Sequence, residues 1–161
     1  MTDSIDNNIL DNVDKYQTVY DWIILSDCDQ VSIVAPGTVP DYYNKLYPSY
    51  GITVRYYDYD PKFTDVDNFT ICDVVFDRPT LTGLIVSCNA QKMYPLGRLY
   101  QGEFIIIGTD ANHNGDCNPV TSCQQLIEQN NISTVYKQAR ATHSGHERFT
   151  YTTYIVWGTN D

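Results

Sequence analysis

A chain of 161 residues suits one domain, and at that length folding removes about 70% of the unfolded surface from water. Its 42% hydrophobic content argues for a folded body despite a formal net charge of -10. Twenty acidic residues against ten basic ones, spread along the chain, speak against nucleic acid and against anionic membrane surfaces as partners, since both are held through lysine and arginine.

The first residues, MTDSIDNNIL, carry no basic stretch ahead of an apolar one, so no secretion signal is expected. No apolar run reaches the ~20 residues of a membrane span. Five cysteines, an odd number irregularly spaced, suit reduced thiols, and the expected setting is cytoplasmic, or a virion if the source is viral.

One domain is expected over 1–161, with a helical segment in 1–20 and a β-rich body over 21–161. Within SIDNNILDNVDKY, Ile5, Ile9, Leu10 and Val13 fall at helical spacing behind Ser4 or Asp6 as caps, which predicts a short amphipathic helix. Trp22 to Leu25 and Val31 to Val34 read as two strands around the turn residues SDCDQ. PDYYNKLY predicts one helical turn. Strands follow at ITVRYYDYD, FTICDVVF, TGLIVSCN and GEFIIIGT. VTSCQQLIEQNN predicts a helix near 121–131 capped by Thr121 or Ser122, and TVYKQARAT with ERFTYTTYIVW predicts a closing hairpin. The sum is a mainly β, α+β domain, expected as an antiparallel β-sandwich or barrel-like body.

Asp110, Asn112, Asn114, Gly115 and Asp116 match the front half of a calcium loop, in which alternate residues aim oxygens at one centre and glycine makes the sharp turn. The stretch resembles strand-loop-helix calcium sites over about a dozen residues. It departs from them at the twelfth position, where Thr121 replaces the bidentate glutamate. Calcium is therefore the one cofactor considered, beside none at all. His143 and His146 flank Ser144-Gly145 and would face each other across a two-residue turn as a weaker metal pair.

No G-x-S-x-G, C-x-x-C or glycine-rich phosphate loop occurs, so no catalytic role is expected. Asp58, Asp60, Asp65 and Asp67 read as a solvated acidic loop. Fourteen tyrosines stand out, and consecutive tyrosines on a strand point to opposite faces, so Tyr42, Tyr43, Tyr56, Tyr57 and Tyr59 are the candidate interface residues. The function expected is a non-enzymatic subunit that packs against itself or protein neighbours, as virion and tail-adaptor proteins do. The alternatives are a metal-binding or metal-dependent hydrolytic domain, and an acidic inhibitor of a basic or nucleic-acid-binding protein.

Overall fold

The computed structural model describes residues 8–35, 50–58, 67–88, 95–110, 120–144 and 150–161. In chain order these form β1 (Ile9–Leu10), α1 (Lys15–Leu25), β2 (Gln30–Val34), β3 (Thr53–Asp58), β4 (Phe69–Ile71), α2 (Val74–Asp77) and β5 (Leu84–Ser87). After a 3-10 turn (Leu96–Arg98) come β6 (Glu103–Thr109), α3 (Cys123–Gln129), β7 (Thr134–Ser144) and β8 (Thr150–Thr159). All eight strands share one sheet in the order β1-β7-β8-β6-β5-β2-β3-β4. Pairing is parallel throughout except at β8, which opposes both β6 and β7.

The domain is thus mainly β, as its alternating and β-branched runs imply, and a helix does follow Thr121-Ser122. The sheet is neither antiparallel nor closed into a barrel nor split into a sandwich. Parallel strands need both faces covered, and both are. On one face α1 lays Val19, Tyr20, Trp22 and Ile23 over Val31, Ile33, Val54, Tyr56, Val86, Ile105 and Ile155. On the other, α3 and α2 bring Cys123, Leu126, Ile127 and Val74 onto Val34, Tyr57, Ile85, Phe104, Ile106 and Val156.

The N-terminal helix lies later than the sequence pattern suggests. Asp14 takes the amide of Gln17 at 2.8 Å and starts α1, whose buried side carries Val19, Trp22 and Ile23 at i, i+3 and i+4. Trp22 to Leu25, expected as a strand, is therefore the end of this helix. Ile9 and Leu10, expected within the helix, instead add a short strand beside Gln138 and Ala139 of β7. Ser4, Ile5 and Asp6 lie outside the described residues, as does the PDYYNKLY turn.

α1 runs antiparallel to β2. Its first turn stands near β7, where the Val13 amide donates to the Arg140 carbonyl at 3.2 Å, and its far end stacks Trp22 on Trp157 with ring centroids 6.1 Å apart. Arg140 pairs with Tyr154 and through it reaches the carboxyl half of β6, whereas Trp157 pairs with Ile105 in the amino half. Lys15 is consequently at the carboxyl edge of the sheet. Among the described residues, no helix is long and apolar enough to cross a membrane.

Candidate functional site

From β2 the chain moves outward on one side to β3 and β4, then returns to place β5 and β6 on β2's other side. In doubly wound sheets the point where the strand order reverses in this way is where ligands are commonly bound. That point is the end of the β2–β5 pair, at Val34 and Ser87.

Hydrogen bonds carry the ladder past the strand ends and make this rim rigid. The Ala35 amide donates to the Tyr57 carbonyl at 2.7 Å, Cys88 to Val34 at 2.9 Å, and Cys72 to Asp58 at 2.9 Å. Ala35 has φ 56° and stands just before Pro36. An alanine in the left-handed region costs about 1–2 kcal/mol, and strain of this kind collects where a backbone is shaped for a ligand.

Asp58 closes β3 and Cys88 follows β5, so the two stand on either side of the end of β2, about two strand spacings or ~10 Å apart. The two share the α1 face, since Asp58 alternates with Tyr56 and Cys88 belongs to the core under α1. The Asp58 side chain is only 7% exposed, which corrects its reading as part of a solvated loop. Burial pushes the Cys88 thiol up to about 12, with Lys15 drawing it down and Asp58 pushing it further up. A thiol held this way stays protonated at neutral pH and serves as wall, not nucleophile.

The remaining candidates fall as follows. Asp110 caps the sheet edge: its Oδ1 accepts the Thr152 amide at 2.8 Å while its own amide donates to the Thr152 carbonyl at 3.1 Å. Asn112, Asn114 and Asp116 lie outside the described residues. Among the described residues, no group of three or more histidine, cysteine, aspartate or glutamate side chains is placed to hold a metal ion. His143 pairs in register with Tyr151 near the end of the β7–β8 ribbon, and His146 lies outside the described residues. The ribbon continues three pairs beyond Thr153, the last β8 residue paired to β6, and so projects about 10 Å past β6 at the carboxyl edge of the sheet.

Tyr56 and Tyr57, expected to leave one ring outside, are 2% and 6% exposed. The reason is that the sheet has two covered faces: Tyr56 enters the core under α1, Tyr57 the core under α3. Tyr42, Tyr43 and Tyr59 lie outside the described residues. Cys28, Cys72, Cys88 and Cys123 are free thiols.

Sequence reasoning missed Lys15, Asp58 and Cys88 as one neighbourhood. A signal existed for Asp58: an apolar strand ending on an acid, twenty-one residues after Gly37, itself three residues past the end of the preceding strand. The fold is a doubly wound mixed sheet whose strand order switches at the β2–β5 pair. No family model matches the chain, and no curated protein matches it in sequence.

Proposed function

We propose that this chain is a small-molecule-binding domain that holds a nucleoside at the carboxyl ends of β2, β3 and β5. The observation that carries this reading is Asp58, a buried carboxylate ending the second strand of the parallel set beside the switch point. In doubly wound sheets an acid at this place accepts hydrogen bonds from ribose hydroxyls. A diphosphate is disfavoured as part of the ligand. Its approach needs a glycine-rich turn after the first strand, and Gly37 is the only glycine between Ala35 and Tyr50. S-adenosylmethionine and its thioether product are nucleosides of the required kind, without phosphate.

Titration calorimetry with adenosine, S-adenosylhomocysteine and NAD tests the reading on the wild type and on Asp58→Asn. The two nucleosides should bind more tightly than NAD. The variant should lose about tenfold or more for each, as expected from loss of charge-assisted hydrogen bonds. Silence with every nucleoside, or an Asp58→Asn protein that binds like wild type, rejects it.

A second reading, the β-rich subunit of a larger assembly, is favoured by β4, which ends the sheet among the described residues. There Phe76 of α2 is 84% exposed and Ile71 49%. Apolar side chains this open suit a protein partner or a second copy. Light scattering across a concentration series should then show association that Phe76→Asp abolishes. A wild type that stays monomeric throughout argues against self-assembly.

A further inference from the structure

Phe76, at 84% exposure, is the most open of the large apolar side chains among the described residues. The turn that holds it out is tied from both ends. α2 has only four residues, too few to stand as a helix by propensity. Asp73 accepts the Phe76 amide at 3.1 Å, and Asp77 reaches back to accept the Asp73 amide at 3.0 Å. The Asp77 and Arg78 amides close the turn on the Asp73 and Val74 carbonyls at 2.7 and 3.0 Å. Val74 anchors the turn in the core while Phe76 faces solvent. A ring fixed in this way loses little further freedom when something packs on it.

The same bonds set the charge around the ring. Asp73 and Asp77 are both exposed, and among the described residues neither meets a cation. Arg78, the next residue, is turned back on its own turn, where its Nε donates to the Val75 carbonyl at 3.0 Å. Burial pushes the neighbouring Cys72 thiol up, and Asp77, Asp73 and Asp58 push it the same way, so this corner of the molecule is negative. A second copy, with its own charge of -10, would bring acids against acids here. The face instead suits a cation that also covers a ring. Arginine does both, since its planar guanidinium stacks on aromatic faces and donates to carboxylates. Lysine, a strongly hydrated point charge, does only the second well.

Resting on the assembly reading, we infer that α2 docks an arginine-bearing segment of a basic protein partner, its guanidinium lying on the Phe76 ring and donating to Asp73 and Asp77.

A displayed library of linear peptides, selected on the immobilised wild-type chain, tests this. The binders should be rich in arginine and should weaken several-fold between ~0.05 and ~0.5 M salt. Exchanging arginine for lysine in a binder should cost about fivefold or more, as should Phe76→Leu, which keeps an apolar side chain but removes the ring. Asp73→Asn together with Asp77→Asn keeps the capping oxygens, removes both charges, and should cost about tenfold or more. Thermal melts matching the wild type show that these surface variants are folded. The inference is overturned, with the assembly reading intact, if the binders are apolar or acidic and lose affinity in Phe76→Asp but not in Phe76→Leu. It is overturned in the same way if the wild type alone self-associates through Phe76 in light scattering, which makes a second copy the occupant. Arginine-rich binders indifferent to Phe76→Leu and to the paired asparagine variant overturn it too. A library that yields no binder, on a chain that stays monomeric, rejects both.

Discussion

Gly83→Ala is expected to cost roughly 3 kcal/mol or more of stability, about a 6–12 °C drop in Tm for a domain of this size. Two penalties combine. Gly83 has φ +72°, which an alanine adopts at a cost of about 1–2 kcal/mol. An added Cβ would also stand 2.0 Å from the Gln30 carbonyl oxygen, a backbone atom with no rotamer to escape into. That carbonyl belongs to the first residue of β2, and Gly83 immediately precedes β5. Here too Ser32 donates to the Thr82 carbonyl at 2.9 Å and accepts the Thr82 amide at 3.1 Å. The register pairing Val31 with Leu84, and therefore the switch point four residues on, is set by this close approach. Gly51→Ala is the control: Gly51 has φ +70° but nothing within 4 Å of an added Cβ, so it should lose only the backbone penalty. Thermal melts in which the two variants drop equally would remove the close approach from the explanation.

The strands were legible because apolar runs of four to seven residues have few alternatives. In β8, Ile155 and Trp157 do face one core while Tyr154 and Val156 face the other, as their alternation requires. Strand direction was not read, although the information was present. Val31 to Val34, Leu84 to Val86 and Phe104 to Ile107 are almost unbroken apolar stretches, which mark strands buried on both faces and hence parallel pairing. Weighed that way, Tyr56-Tyr57 is a core pair, and no ring has to point outward.

The helix boundary failed for a different reason. Trp22-Ile23-Ile24-Leu25 has strand-like composition, but Asp14 supplies the cap and the helical stripe of Val19, Trp22 and Ile23 outweighs local propensity. The site was the least legible part. Asp58 differs from Asp60 or Asp65 only in ending a strand that lies beside the switch point, a property of strand order. No local pattern joins Asp58 and Cys88, which are separated by thirty residues and flank the end of β2 only because β2 lies between β3 and β5. The calcium-like motif drew attention by its spacing, yet Asp110 spends a carboxylate oxygen on the Thr152 amide.

The fold should weaken steeply above pH 9, with Cys88 as a main cause. Its thiol has an ordinary value of 9.0 and is pushed to about 12 in the folded chain, chiefly by burial. Burial likewise pushes Cys123 up to about 11, against the pull of its hydrogen bonds to the Ile155 and Ala139 carbonyls. Since the folded values are raised, the native state keeps these protons where the unfolded chain releases them. The stabilisation is fully present below pH 9 and is lost as pH rises through the folded values. Each such thiol contributes a slope of up to ~1.4 kcal/mol per pH unit. Urea denaturation at pH 7.5, 9, 10 and 11 should show a wild-type limb that falls above pH 9, and a Cys88→Ala limb that falls less steeply by about that amount per unit. The variant also loses packing at neutral pH, so the difference in slope is the diagnostic quantity. Parallel limbs would mean that Cys88 is solvated in the folded protein, and would remove it from the closed core under α1.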